Sequence, residues 1–194
     1  LYAVWQAGSG IKYISQHWQQ NAEDDGYTMH ETEEHNGVTD TQTNVIAHAY
    51  AGFTSKNFEQ TNISGDGTTV VDVYYDRNKY DIKWLGYNGE LVDTTSQKYG
   101  SSVVQISQAP ERTGYIFESW NIVETIVPID GMSVVATWTP ITYTVEFDAN
   151  GGIGEMEAQT FTYDVDDELN ANSFSHDGYV FVGWAETPDG EVKY

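Results

Sequence analysis

Apolar and polar residues alternate along much of this chain. In Thr142-Tyr143-Thr144-Val145-Glu146-Phe147-Asp148, the residues Tyr143, Val145 and Phe147 fall on one face and Thr144 and Glu146 on the other. That is the period of two required by a strand with one buried face. Tyr80, Ile82 and Trp84 repeat the pattern, as do Tyr115 and Phe117 on the approach to Trp120. Between such runs stand pairs that tolerate positive φ and mark tight turns: Asp25-Gly26, Asn36-Gly37, Asp66-Gly67, Asn88-Gly89, Asp130-Gly131, Asn150-Gly151, Asp177-Gly178 and Asp189-Gly190. Three stretches lack clean alternation: Thr43 to Ala51, Gly100 to Pro110 and Asp164 to Asn172. In the third, Asp166-Asp167-Glu168-Leu169 places acids where they would complement the positive end of a helix dipole. The pattern therefore predicts an α+β fold of tandem small β-grasp-like (ubiquitin-like) modules, strand-rich, with one short helix each packed across a small sheet.

The pattern also repeats along the chain. Tyr80-Asp81-Ile82-Lys83-Trp84 aligns with Tyr143-Thr144-Val145-Glu146-Phe147 (143 − 80 = 63), and Gly114-Tyr115-Ile116-Phe117-Glu118-Ser119-Trp120 with Gly178-Tyr179-Val180-Phe181-Val182-Gly183-Trp184 (178 − 114 = 64). A more divergent copy opens at Tyr13-Ile14-Ser15-Gln16-His17-Trp18 (80 − 13 = 67), passes Ala51-Gly52-Phe53 and closes on Val70-Val71-Asp72-Val73-Tyr74-Tyr75. Leu1-Tyr2-Ala3-Val4-Trp5 reads like Val134-Val135-Ala136-Thr137-Trp138, the last strand of a repeat. The expected organisation is residues 1–10 as the closing strand of a preceding repeat plus linker, and 11–78 as a divergent repeat. Residues 79–140 follow as a second repeat, and 141–194 as an incomplete third that lacks its closing strand. Short linkers at Gln6–Gly10, around Arg77 to Lys79 and around Thr139 to Thr142 suit an extended array whose modules keep separate cores.

Composition narrows the function classes. A module of about 60 residues buries only about 60% of the surface its unfolded chain exposes, so aromatic side chains must supply much of each core. Six Trp, 14 Tyr and 7 Phe in 194 residues meet that need. Eight Lys and Arg against 30 Asp and Glu give a formal charge of −22, which opposes phosphate contacts and excludes nucleic acid as a partner. With no Cys there are neither disulfides nor thiolate chemistry. No 18-residue apolar run and no basic-then-apolar leader occurs, so direct membrane insertion is not expected and any export signal or wall anchor would lie elsewhere.

The third copy carries a recognisable phrase. Phe147-Asp148-Ala149-Asn150-Gly151-Gly152, then Gly178-Tyr179-Val180-Phe181-Val182-Gly183-Trp184, together with Leu1-Tyr2-Ala3-Val4-Trp5, resembles the Listeria-Bacteroides repeat, or internalin B-type B repeat. The second copy departs from it with Tyr87-Asn88-Gly89-Glu90 and with Ser119 where Gly183 stands. The first departs further, and its His17-Trp18-Gln19-Gln20-Asn21 and Gly52-Phe53 resemble mucin-binding-protein-type repeats. The resemblance implies a non-catalytic, β-grasp-like segment of a secreted or wall-attached bacterial surface protein, a stalk or spacer with a role in adhesion. The implied location is extracellular, at the cell surface or wall. Partners would be a host-surface or matrix protein or glycan, besides neighbouring repeats of the same chain; the alternative is a carbohydrate- or mucin-binding module.

Candidate chemistry is sparse. His30-Glu31-Thr32-Glu33-Glu34-His35 has its histidines five apart instead of the four of a zincin helix, and period two puts them on opposite faces of a strand. Asn21-Ala22-Glu23-Asp24-Asp25-Gly26 resembles the start of an EF-hand loop, yet Thr32 stands where the bidentate Glu belongs. An acidic turn explains it more simply. No Ser/His/Asp or Lys-based set stands out, so no catalytic, cofactor-binding or metal residue is assigned and no cofactor is expected. Trp84, Trp120, Trp138 and Trp184 are expected in cores, while Trp18 and the Tyr74-Tyr75 pair are candidates for the surface.

Overall fold

A computed structural model describes all residues from Leu1 to Tyr194. The structure is built from strands alone. The first sheet comprises β1 (Ser9–Gln20), β2 (Tyr27–Val38), β3 (Phe53–Ser55) and β4 (Val70–Arg77), in the order β2-β1-β4-β3. β1 and β2 are antiparallel, β1 and β4 parallel, and β3 and β4 antiparallel. The second sheet repeats that plan with β5 (Lys79–Leu85), β6 (Leu91–Lys98), β7 (Tyr115–Asn121) and β8 (Met132–Pro140), in the order β6-β5-β8-β7 with β5 and β8 parallel. β9 (Thr142–Val145) and β10 (Gln159–Thr162) form a two-stranded antiparallel sheet. Chain contacts divide the molecule into two compact units, residues 1–108 with 120–135 and residues 109–119 with 136–194. Residues 1–8 belong to no strand, and Leu1 to Trp5 are exposed.

The expected α+β class is wrong: no module carries a helix. Each of the three stretches assigned to one is an irregular strap, and side-chain amides do for its backbone what a helix would have done. In the first, Gln60 donates through Nε2 to the Val45 carbonyl (2.8 Å) and accepts through Oε1 from the Val45 amide (3.0 Å). In the second, Gln97 holds both backbone groups of Val104 at 2.7 and 2.8 Å. In the third, Gln159 bonds the Glu168 carbonyl and the Asn170 amide, each at 2.8 Å. A helix of this length is marginal in water unless an amphipathic stripe packs it, and the straps lack the 3.6-residue period that would supply one. Bridges Gln42↔Asn62 and Ser102↔Ile126 further fix the first two straps in extended form.

Alternation along β1, β4 and β5 places their inner faces as expected. Tyr13, Ser15 and His17 from β1 and Val71, Val73 and Tyr75 from β4 are buried beneath the strap, with Val45 and Ile63 against them. In the second sheet Ile82, Trp84, Trp120, Val127, Val134 and Ala136 are buried, and Trp84 meets Trp120 edge to face at 5.2 Å. Trp138 and Trp184 are only half-buried, and Tyr75, expected on the surface, is fully buried. Asn36-Gly37 makes no turn; it continues β2, paired with Lys12 and Ile11. The other expected turns stand, with positive φ at Gly67, Gly89, Asp130, Gly131, Asn150, Gly151 and Gly178.

Candidate functional site

The inner face of the first sheet changes character along its length. At one end Tyr13, Val45, Ile63, Val71 and Val73 form an apolar cluster. At the other, β1, β2, β4 and the strap bring together Ser15, His17, Glu31, Glu33, His35, His48, Tyr50 and Tyr75. The His17 side chain is wholly buried. Its Nδ1 lies 2.8 Å from the Tyr75 hydroxyl, which also accepts from the His48 amide at 2.8 Å. Its Nε2 lies 3.1 Å from Ser15 Oγ and 3.8 Å from Glu33 Oε2. His48 stacks on the His17 ring with centroids 4.4 Å apart, turning Nδ1 to Glu31 Oε1 at 2.8 Å and Nε2 to Glu33 Oε2 at 3.3 Å. His35 Nε2 is 2.9 Å from Ser15 Oγ and 3.9 Å from the same Glu33 oxygen. Tyr50 donates to Glu31.

These contacts set the electrostatics. Burial lowers the His17 pKa, with the neighbouring His48 adding to the effect, which favours the neutral ring. The hydroxyl of Tyr50 and the ring of His48 hold the Glu31 carboxyl below the usual range. Burial, together with Glu31, pushes Tyr50 well above the usual phenol value, and burial raises Tyr75. A buried polar network of this kind is stable only if its members are satisfied, and here each of them has a partner.

Sequence reasoning treated β2 alone and so missed the cluster. Glu31, Glu33 and His35 do share the half-buried face of β2, as period two requires. Their partners arrive from β1 and from the strap. His30, the other histidine of that segment, has no partner residue on β1, because the register shifts between His17↔Glu31 and Trp18↔Met29. A usable signal was present in the 67-residue offset, which sets Ser15 on Ile82 and His17 on Trp84. The pairing confirms the match: His17↔Val73 and Trp84↔Val134 are equivalent in the two sheets, and each sheet has its bulge just after that residue.

The acidic turn at Asn21 to Gly26 is a structural feature. Asp24 accepts from the Gly26 amide and the Asn21 amide group. Asp25 bonds Lys98 at 2.7 Å and Glu23 bonds the Ser102 amide at 2.8 Å, so the turn reaches residues of the next copy. A second junction element lies beside it. The Asn78 amide donates to Gly52 O and the Tyr99 amide to Asn78 O, with the Tyr99 ring lying over Gly52 and edge-on to Phe53. Arg77 adds bonds to Gln20 O and Tyr99 O. The same arrangement returns 63 residues later (141 − 78): Ile141 N bonds Gly114 O, Tyr163 N bonds Ile141 O, and Tyr163 covers Gly114 edge-on to Tyr115. At 52 and 114 a Cβ would stand 2.2 Å from the Tyr ring, and φ is near +80°, so glycine is required twice over.

Within residues 143–194 a cleft of about 1100 Å³ is lined by Tyr143, Phe147, Phe174, Tyr179, Phe181 and Trp184. Lys193 holds the carboxyl of Glu186, on its lining, below the usual carboxylate range. No helix of the structure is long and apolar enough to cross a membrane.

The geometry thus defines a class, a tandem array of small all-β units docked by one recurring contact. The chain belongs to the Listeria-Bacteroides repeat domain family, whose pattern matches residues 72–126 and 143–194. The first copy, up to residue 71, lies outside both matches. The chain is 26% identical over 147 residues to a protein of Evansella cellulosilytica that carries the provisional name of a membrane protein, the match covering 69% of this chain and 22% of the relative. A second protein of that organism, provisionally named a Gly-rich membrane protein, is 28% identical over 148 residues, covering 65% of this chain and 17% of the relative. The chain therefore spans about a fifth of the length of these relatives.

Proposed function

We propose that this chain is a non-catalytic spacer segment of a secreted or wall-attached bacterial surface protein, holding other parts of that protein away from the cell. The carrying observation is the recurrence of one docking geometry, Gly52-Asn78-Tyr99 and then Gly114-Ile141-Tyr163. A linker of a single residue, Asn78 between β4 and β5, joins the first two sheets. Ring-over-glycine packing then fixes the angle that such a linker leaves open. Defined angles between successive units are what a spacer needs and a flexible tether lacks. Membership in a repeat family and relatives several times longer than this chain support the same reading.

Spin labels at exposed Glu34 and Asp93 test it in the full chain. A narrow distance distribution that broadens in Tyr99→Ala is expected. A wild-type distribution as broad as that of the variant would defeat the spacer reading.

A second reading, adhesion to glycan, rests on the outer face of the first sheet. Trp18 and Tyr74 stack at 6.0 Å with planes 18° apart, Tyr27 meets Tyr74 edge to face, and Asp72 holds the Trp18 indole N–H at 2.8 Å. Aromatic faces flanked by carboxylates suit the apolar face and hydroxyls of a sugar. A glycan array probed with the full chain, then with Trp18→Ala, separates the two readings: a spacer alone gives no signal that depends on Trp18.

A further inference from the structure

We propose that the first copy holds a divalent transition-metal ion of the Zn²⁺ class, ligated by His17 Nε2, His48 Nε2 and Glu33 Oε2. The ligand atoms of these three residues lie within 4.8 Å of one another. Glu33 Oε2 is 3.3 Å from His48 Nε2 and 3.8 Å from His17 Nε2. A tetrahedral zinc with Zn–N and Zn–O bonds of about 2.0–2.2 Å separates its ligands by roughly 3.4 Å. At that oxygen the present spacing lies within about half an ångström of this value. The two imidazole nitrogens, within 4.8 Å of one another, would close by up to about 1.4 Å as the half-exposed His48 ring turns out of its stack.

Two further observations point the same way. The first is the far side of each ring. His48 Nδ1 faces Glu31 and His17 Nδ1 faces Tyr75, which is the outer-sphere support that fixes a ligating imidazole's tautomer and direction. Metal binding selects the His17 tautomer in which Nδ1–H donates to Tyr75 O, leaving the Nε2 lone pair for the ion. The second is position. The second copy fills the equivalent places with Ile82 and Trp84, both fully buried and apolar. A fold that accepts an apolar pair there retains Ser15 and His17 in the first copy for something other than packing.

Ligand chemistry selects the ion. Two imidazoles and one carboxylate, in a chain without cysteine, favour Zn²⁺ and its first-row neighbours over Ca²⁺ or Mg²⁺, which take oxygen sets. Three protein ligands leave a fourth position for water, and Glu33 and His48 are only half-buried, so the site opens to solvent on that side. His35, tethered through Ser15, stands beside the site. The ion would join β1, β2 and the strap, three segments that otherwise meet through hydrogen bonds.

Zinc bound to the full chain after chelator treatment and dialysis, measured by elemental analysis and by titration calorimetry, is the test. One Zn²⁺ per chain is expected, with a thermal midpoint that rises as zinc is added. Glu33→Gln, which preserves shape, and His48→Ala, at a half-exposed position, should each weaken binding at least tenfold while leaving the far-UV circular dichroism unchanged. Glu31→Gln, acting through His48, should weaken it by roughly 10–100-fold. His30→Ala and His176→Ala should change nothing. Absence of stoichiometric zinc overturns the proposal. So does binding that survives both Glu33→Gln and His48→Ala, or that His30→Ala or His176→Ala abolishes.

Discussion

Two sheets of one plan stand side by side in the sequence, and they fill the same inner positions with opposite chemistry. The second carries Ile82 and Trp84 where the first carries Ser15 and His17, and Ala136 where the first carries Tyr75. Register, bulge and parallel pairing are the same in both. Backbone architecture in these two sheets is thus independent of whether the middle of the face is apolar or hydrogen-bonded. What the sheet requires is a side chain that fills the volume. The first copy meets that condition with a hydrogen-bonded network, and the second with an indole pair, Trp84 on Trp120.

The comparison breaks most sharply at Trp84. Trp84→Ala should cost about 3–5 kcal/mol, enough to melt a unit this small, whereas His17→Ala in metal-free protein should cost about 1–3 kcal/mol through the partners it strands. Thermal melts of the two full-length variants give the order, and equal losses would mean that the polar network packs as hard as the apolar one. Next in size are the junction glycines. Gly114→Ala forces a left-handed alanine into the Tyr163 ring and should lose more than the roughly 1–2 kcal/mol of backbone strain alone. Gly178 has the same φ with open space over it, so Gly178→Ala should show the strain without the clash; chemical denaturation of the pair resolves the difference. The smallest effect concerns the turn that touches the second copy. A hydrogen bond and the charge of Lys98 hold the Asp25 carboxyl below its ordinary range. A depressed carboxylate contributes stability above its unfolded-state value and loses it as pH falls through the folded one. Nuclear magnetic resonance titration should find the Asp25 midpoint low in the native protein and restored to the ordinary range in Lys98→Met.

Local pattern made the strands and most turns readable, because alternation and Asn-Gly or Asp-Gly pairs act over a few residues. Asn36-Gly37 misled for an instructive reason: β2 runs on past it to pair with Lys12 and Ile11, and a long ladder overrides a local turn preference. The straps do not alternate, and in the third Asp166 to Glu168 stand where a helix would start, so a helix is what the local sequence suggests there. Gln60, Gln97 and Gln159 decide those segments from outside, through contacts that no local window contains. The histidine cluster was hidden likewise. His17, Glu33 and His48 belong to three segments, and only the alignment of copies marks Ser15 and His17 as polar residues in apolar places. The repeated docking of Tyr on Gly had a visible trace in Gly52-Phe53 and Gly114-Tyr115, read as a motif without a reason.

One feature of the topology bears on how such a segment would answer a pull on its ends. In each sheet the strand that enters and the strand that leaves lie next to each other and run the same way, paired from Ile14↔Val70 to Gln19↔Tyr75 and from Ile82↔Met132 to Leu85↔Val135. Tension applied along the chain drags these neighbours past one another lengthwise, so the paired residues share the load instead of opening in sequence like a zipper. Forced unfolding is governed by the unfolding barrier rather than by equilibrium stability. Units of marginal thermodynamic stability arranged this way would resist flow or tugging far better than their melting points suggest.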